Sequence, residues 1–459
     1  MFELFIFLTA GVVVIGMSWG VFGANDPFHP LTYLMLMVGF FYVYVPINLY
    51  REGALLSYFT MGDATYIQGL SLVCVVGLAL GAYLGSGRVR RDPQRVDVFS
   101  FTASEDDRQA LLRCGVLLGV IGVLAYVYQI SNVGGFIEAY NNPKGGGWAS
   151  SGYIRDLDFL VVPGITCIYL GWQEKGVPLR YRLLVGGFSV PLLLHGLLSS
   201  RRGPTFLGFA ALVGGWYLAN RRRPSRIQTA VGGVALGLLL LALVSYRGQI
   251  YLGSSFLTGQ GPAATEVVER SLEYGDRTDM SNEYLHGMYV ALNARDHAGH
   301  YWGARYLTQL FVRPIPSSFW PNKYEDVGME ALTLNSGLLQ TDDLSEHPKA
   351  VKGSAPGFAA SAYVEWGWGA PIFVFLLGYL YAYMWRQSLV KGGIWTVLYV
   401  ILMSVSVFFI AQSFYASFFR LLLMLGFSVL FWYAFRPVSG RVSRLKDACD
   451  ARLQRGAPS

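Results

Sequence analysis

Long apolar runs alternate with short polar connections along most of the chain. A helix needs about 20 mainly apolar residues to cross the hydrocarbon core of a bilayer, because lipid offers the backbone no hydrogen-bond partners. By this measure the pattern predicts an all-α polytopic membrane protein with about eleven transmembrane helices. The predicted spans lie near 2–22, 30–49, 64–86, 109–131, 154–172, 183–199, 204–220, 228–246, 367–385, 392–411 and 414–435.

The longest stretch without a predicted span follows the eighth helix. It is much longer than an ordinary connection, and its acidic residues outnumber its basic ones. We expect a large, partly helical extracytoplasmic loop with short helices near 262–274 and 283–293, the second capped by Ser281 or Asn282. The resulting division is 1–246 for helices 1 to 8, 247–360 for the periplasmic loop or lid, 361–436 for helices 9 to 11 and 437–459 for a basic cytoplasmic tail.

The basic residues indicate which side of the membrane each connection occupies. They are concentrated in 87–108, 173–182, 220–227, 386–391 and the tail after Arg436. All of these connections fall on one side of the eleven-span topology, and the positive-inside rule makes that side cytoplasmic. The formal charge of +7 is thereby explained by topology, and no nucleic-acid partner is expected. We expect a multi-pass protein of the bacterial inner membrane, with its amino terminus outside.

Composition supports this class of protein. Hydrophobic residues make up 53% of the 459 positions and charged residues 14%, a balance typical of a protein surrounded by lipid. The amino-terminal apolar run lacks a basic leader and a small-residue cleavage site, so we expect it to be retained as the first span. Membrane lipid is thus an expected partner. The cysteines are far apart and are interpreted as packing residues: Cys74, Cys114, Cys167 and Cys449.

Charges at the outer face of a membrane protein point to function, because each is costly unless it faces a cavity or a partner. Arg201 and Arg202 lie in a predicted outer hairpin, against the positive-inside trend, and Arg247 leaves the eighth span at a similar depth. Guanidinium groups bind phosphate oxygens in bidentate fashion, so these residues predict a phosphate or pyrophosphate site. The alternative is that they contact lipid headgroups at the interface.

Further candidates flank the last spans. Arg420 lies about one turn inside the final helix, and a structural ion pair is its alternative. Residues of the loop that can add phosphate or sugar contacts are Arg313, Lys323, His347, Lys349 and Lys352. Glu365 or His347 is our candidate for a base that activates a sugar hydroxyl. For Glu365 the alternative is a salt bridge to one of these cations.

The remaining polar residues give weaker signals. Arg155, Asp156 and Asp158 begin the fifth span, where a local ion pair is the commoner explanation, and His195 is typical of an interhelical hydrogen bond. The histidines of the loop do not form a zinc motif: His286, His297 and His300. No Gly-rich nucleotide fingerprint follows a strand pattern. We therefore expect neither a metal nor a cofactor.

The layout resembles that of the Wzy-type O-antigen and exopolysaccharide repeat-unit polymerases. The resemblance lies in the number of spans, the late outer loop, the Arg201-Arg202 pair, RPIPSSFWPNK in the loop and SAPGFAASAYVEWGWGAPIFVFLLG entering a span. It implies a glycosyltransferase that moves a growing glycan from undecaprenyl pyrophosphate to an incoming lipid-linked repeat unit on the periplasmic face. Arg201, Arg202 and Arg247 would hold the pyrophosphate leaving group, and a chain-length regulator is a possible partner.

Two other functions compete with polymerisation. An O-antigen ligase shares this kind of fold and donor but delivers the glycan to a lipid A core or a protein. A flippase or transporter would place charges along a translocation path and often shows repeated halves with broken helices. Here the charges gather at the outer face and the halves differ, so transport ranks last. The sequence itself barely separates polymerase from ligase, and polymerase is what the resemblance implies.

Overall fold

The computed structural model describes eleven stretches of the chain: 1–87, 105–141, 154–172, 177–220, 222–246, 249–252, 265–266, 269, 282–297, 299–329 and 355–436. Every regular element within these stretches is helical. The expected helix near 262–274 lies outside the described residues, apart from three isolated positions. Of the cysteines, Cys74, Cys114 and Cys167 are buried and free, and Cys449 falls outside the described part of the chain.

Nine helices in the described stretches are long and apolar enough to cross a membrane. They span Phe2–Gly23, Pro30–Arg51, Met61–Ser86, Glu105–Val133, Leu179–Leu198, Arg226–Leu243, Gly357–Val390, Ile394–Ala411 and Ser417–Phe435. Each coincides with a predicted span, although the helix at Gly357 begins ten residues before the span expected at 367. The chain is therefore a polytopic, all-helical protein of the membrane class.

The two other predicted spans are helical too, but shorter or less apolar. The first consists of a 3₁₀ turn, Ile154–Leu160, that leads into the helix Val161–Gly171. The second is the helix Arg202–Phe209, which continues through a π-helical turn, Ala210–Gly214, into Gly215–Ala219. Shorter helices in the connections are Ala54–Tyr58, Phe136–Tyr140, Ala304–Leu307 with its π-helical extension Thr308–Val312, and Lys323–Asp326.

Glycines allow two of the helices to pack backbone against backbone. Gly77, Gly81 and Gly85 recur every four residues along Met61–Ser86, facing the helix Ala370–Val390. A Cβ atom added to Gly77 would lie 2.6 Å from the carbonyl oxygen of Pro371, and one added to Gly81 would lie closer still to that of Phe375. Without a hydrophobic force between helices in lipid, small residues permit the close approach on which packing depends. This pair is held together by close backbone contact, whereas Ile394–Ala411 is the most deeply buried of the nine apolar helices.

One end of the bundle gathers the basic connections, and we call it the basic end. Arg223 donates to Asp26 at 2.8 Å, and the indole of Trp385 donates to the same carboxylate at 3.1 Å. Arg436 pairs with Asp107 at 3.0 Å. The contacts with Asp26 also place the 24–29 connection at this end. The charge pattern alone did not determine on which side of the membrane this connection lies.

The opposite end carries the large loop. The helix Glu283–Asp296, called here the loop helix, begins at the cap residue Asn282, whose side chain accepts from the Tyr284 amide at 2.9 Å. This confirms the predicted helix and one of its two proposed caps. The helix is mostly buried, because the Tyr284 hydroxyl donates to Gln68 at 2.7 Å and a Cβ on Gly287 would strike the backbone of Pro356. It is thus a built-in part of the bundle rather than a loose cover.

Candidate functional site

The paired arginines lie at the turn between the helices Leu179–Leu198 and Arg202–Phe209. Ser200 adopts a positive φ of 50°, which reverses the chain within three residues. Proline at the third position of the next helix, Pro204, is tolerated because first-turn amides have no intrahelical partner. Gly203 is needed beside it, since a side chain there would overlap the ring of Phe408. The turn therefore holds Arg201 and Arg202 in fixed positions at the opposite end of the bundle.

The two arginines have different partners. Arg201 Nη1 lies 3.3 Å from His195 Nε2, which agrees with a hydrogen-bonding role for this histidine. Arg202 forms an ion pair with Glu283, the first residue of the loop helix, and its guanidinium carbon lies 5.7 Å from the ring centre of Phe41. Phe41 belongs to a π-helical turn, Phe40–Tyr44. The side chains of Arg202 and Glu283 keep 18% and 14% of their surface exposed, so solvent reaches this pair.

A second arginine group surrounds Asp156. This carboxylate is buried and accepts from Arg313 at 2.6 Å and from Arg420 at 3.0 Å. One negative charge thus faces two positive ones drawn from the loop and the last helix. The predicted local partner of Asp156 is Arg155, whose side chain lies outside the described part of the structure, and the two described partners are distant in the chain.

Lys323 stabilises the backbone that carries Arg313 in the second arginine group. Its Nζ donates to the carbonyl oxygens of Arg313, at 3.1 Å, and Ile315. Burial lowers the pKa of Lys323, and the nearby charge of Arg313 lowers it further. Since its donors face backbone carbonyls, Lys323 holds the turn after Arg313 in place.

Aromatic rings separate the two arginine groups. The Arg420 guanidinium lies 4.6 Å from the ring centre of Phe408 and 5.2 Å from that of Phe159. Phe408 also contacts the turn at Gly203, which carries the first group. A single ring therefore links the two groups, and four arginines lie at one end of the bundle: Arg201, Arg202, Arg313 and Arg420.

Glu365 is sealed in the protein. It forms an ion pair with Arg305 and accepts from the Gly303 amide at 3.2 Å. The rings of Tyr301 and Tyr415 cover the guanidinium at 5.2 and 4.8 Å. The side-chain exposure is 0% for Glu365 and 2% for Arg305, so no sugar hydroxyl reaches this carboxylate. The geometry favours the salt-bridge alternative over the base, with a partner that the sequence had not singled out.

Several predicted residues lie outside the described part of the chain. They are Arg247, His347, Lys349 and Lys352. Within the described part, no group of three His, Cys, Asp or Glu side chains is placed to hold a metal ion. His286 is buried one helical turn from Glu283. Burial lowers the pKa of His286 to about 4, against the opposing effect of Glu283, so the imidazole is neutral at pH 7.

A small cleft with a cavity volume of about 20 Å³, enough for a water molecule, lies beside the Arg202 and Glu283 pair. Its walls are mainly apolar and come from five helices, with Phe41, Leu70 and Ile410 among the lining residues. Glu283 is the one acidic side chain in its lining, and Phe41 joins the cleft to Arg202. The site thus combines a reachable ion pair with an apolar space.

Comparison with known proteins adds no assignment. The chain matches no protein-family model, no curated protein and no solved structure. Functional inference therefore depends on the geometry of this site and on the sequence resemblance.

Proposed function

We propose that the protein is a polymerase that joins undecaprenyl-pyrophosphate-linked oligosaccharide repeat units at the periplasmic face of the inner membrane, producing O-antigen or exopolysaccharide. The supporting observation is the gathering of Arg201, Arg202, Arg313 and Arg420 at the end of the bundle that lies away from the basic connections. The positive-inside rule makes the basic end cytoplasmic and this end periplasmic.

Eleven spans fit this orientation. The short helix Val161–Gly171 runs from the neighbourhood of Asp156 to Gly171, whose carbonyl oxygen accepts from Arg108 at the basic end at 3.2 Å. The interrupted helix from Arg202 to Ala219 runs from the arginine turn towards Arg223, which pairs with Asp26. Both segments run between the two ends, which supports counting them with the nine apolar helices in the proposed eleven-span topology.

The chemistry of the proposed reaction needs cations where negative charge develops. When the glycosidic phosphate bond breaks, the leaving pyrophosphate gains charge, and preorganised guanidinium groups stabilise that change more than they stabilise the bound substrate. Around Asp156 two guanidinium groups face one carboxylate, so the group keeps a net positive charge that favours an anion. Arg201 and Arg202, on the other side of Phe408, supply further donors to the same end.

The test uses a strain that lacks the gene and carries plasmid copies of it. Arg202→Ala should abolish the polymer ladder on a gel, while the amount of protein in the membrane stays normal. Arg202→Lys should restore it only in part, because a point charge cannot make the bidentate contact. The matched control is Arg295→Ala, which removes an arginine from the same end but from a more exposed pair with Asp63.

Wild-type ladders from both Arg202→Ala and Arg420→Ala would contradict the proposal. A strain without the gene that leaves single capped repeat units identifies a polymerase. Undecorated acceptor together with intact lipid-linked polymer would instead identify a ligase.

A further inference from the structure

One stretch of the outer loop has a surface opposite in character to that of a water-soluble protein. We call residues 301–320 the aromatic segment. It contains the short helix Ala304–Leu307, its π-helical extension Thr308–Val312 and the Pro-rich turn that follows, and the structure describes all of it. None of its exposed side chains is charged. The large ones among them are Trp302, Leu307, Leu310, Phe311 and Phe319.

The cations of this region are directed inward instead. Arg305 and Arg313 each form an ion pair with a buried carboxylate, and Lys323, just past the segment, donates to backbone carbonyl oxygens. Exposed charge next appears at Glu325 and Asp326. In water, charged side chains face the solvent and large apolar side chains are mostly covered. The reverse arrangement of 301–320 is suited to lipid.

The last span gives the depth of the segment in the membrane. Its helix ends at Phe435, beside the Arg436 pair at the basic end, and Phe419 lies 16 residues earlier. At ~1.5 Å per residue, Phe419 is about 24 Å from that end, whereas the hydrocarbon core is about 30 Å thick. The guanidinium carbon of Arg313 lies 4.5 Å from the ring centre of Phe419. The end of the short helix is therefore at the depth of the outer leaflet, and tilt of the span would only place it deeper.

The third span gives a matching depth for the start of the segment. Ser86, whose hydroxyl lies 3.1 Å from His29, marks the basic end of this span, and Tyr66 is about 20 residues or ~30 Å away along the helix. The Tyr66 hydroxyl lies 2.8 Å from that of Tyr363, whose ring centre is 5.2 Å from that of His300. The aromatic segment thus begins at the outer interface, where Trp and Tyr side chains are enriched.

We propose that the aromatic segment is inserted in the outer leaflet of the same membrane, so that lipid covers its apolar side chains. On its inner side, Tyr306 packs against Phe414 and Phe418 of the last span. Its exposed side is therefore continuous with the lipid-facing surface of that span. Interfacial helices bury an apolar face by about 5–10 Å at the boundary of headgroups and acyl chains, which is the depth derived from Phe419. This inference goes beyond the proposed polymerase function and does not depend on it.

Insertion gives the pairing of Arg313 a physical reason. A lone cation below the headgroups is costly, and the buried carboxylate of Asp156 offsets that cost. The segment thereby holds the second arginine group, which includes Arg420, beside the headgroup layer. A phosphate carried by a lipid reaches this group without leaving the membrane.

The test measures the environment of labels on the full-length protein in nanodiscs of phosphatidylethanolamine and phosphatidylglycerol. Cys449→Ser leaves only the three buried cysteines as background. Leu307→Cys and Phe319→Cys are then labelled singly with a nitrobenzoxadiazole fluorophore. Lipids with a nitroxide on the acyl chain should quench both labels, and aqueous iodide should quench them at least about fivefold less than it quenches an exposed label.

The matched control is Asp296→Cys, at the same end of the bundle but outside the segment. Asp296 is 55% exposed and pairs with Arg295. Its label should be quenched by iodide and little affected by nitroxide lipid. Ser318→Cys provides a second position within the segment that removes no apolar side chain, so it gives the same reading even if a larger replacement disturbs the local fold.

Two outcomes would overturn the inference. Labels at 307, 318 and 319 that iodide quenches as strongly as the label at 296 would show that the segment lies in water. Labels protected from both quenchers would show that protein covers the surface, either a second copy of the chain or another partner. Because neither measurement needs turnover, a protein that makes no polymer can still show insertion, and a segment found in water leaves the polymerase proposal to its own test.

Discussion

Two arginine–glutamate ion pairs at the same end of the bundle differ in solvent exposure and in the residues that surround them. Arg305 and Glu365 are 2% and 0% exposed and are closed in by tyrosine rings. Arg202 and Glu283 are 18% and 14% exposed and border a cleft. The first pair is closed to any ligand, whereas the second is open to solvent. Burial, rather than the identity of the charges, therefore decides which pair can act on a substrate.

The largest effect on stability is expected when one partner of the sealed pair is removed. Glu365→Ala leaves the Arg305 guanidinium buried with its ion-pair carboxylate gone, which typically costs about 3–5 kcal/mol. Chemical denaturation of the purified protein in mixed micelles measures this loss. Glu283→Ala, in the solvent-reached pair, should cost clearly less. Equal losses in the two variants would contradict the division into a sealed pair and a solvent-exposed pair.

A smaller effect is expected when both members of the sealed pair are replaced together. Arg305→Met with Glu365→Leu removes both charges and fills the space with apolar atoms, a change that is often neutral or stabilising for buried pairs. The double variant should unfold within about 1 kcal/mol of wild type and should retain polymer formation. Loss of polymer in a stable double variant would mean that Glu365 takes part in the reaction after all.

The sequence predicted the helices because hydropathy over about 20 residues is a local property. Nine predicted spans coincide with apolar helices, and one of the two proposed caps, Asn282, caps the loop helix. The weaker pattern at 154–172 reflects a 3₁₀ turn before a helix of only 11 residues. Local patterns of this kind require no knowledge of neighbouring helices.

The partners of the charged residues could not be predicted in the same way. Arg420 and Asp156 are 264 positions apart, and Arg202 and Glu283 are 81 apart, so their pairing is a result of helix packing. The sequence around Asp156 favours its neighbour Arg155 as a partner, and Glu283 is marked only as the start of a predicted helix. The sequence also does not distinguish Glu365 from Glu283. Each is a carboxylate at the end of a helix, and the local sequence does not show whether such a residue is buried or exposed.

The smallest effect is expected at a third pair, which extends the comparison towards full exposure. Arg295 and Asp63 lie 3.0 Å apart with 33% and 24% of their side chains exposed, and Arg295 also covers the ring of Tyr66. Because solvent screens such charges, Arg295→Ala should reduce the free energy of unfolding by less than about 1 kcal/mol. The same micelle denaturation measures it, and polymer formation should remain at the wild-type level.

The stability losses of Glu365→Ala, Glu283→Ala and Arg295→Ala should then follow burial in that order. A loss at Arg295 as large as that at Glu365 would show that exposure does not govern these pairs, and the argument that sets Glu283 apart from Glu365 would fail with it.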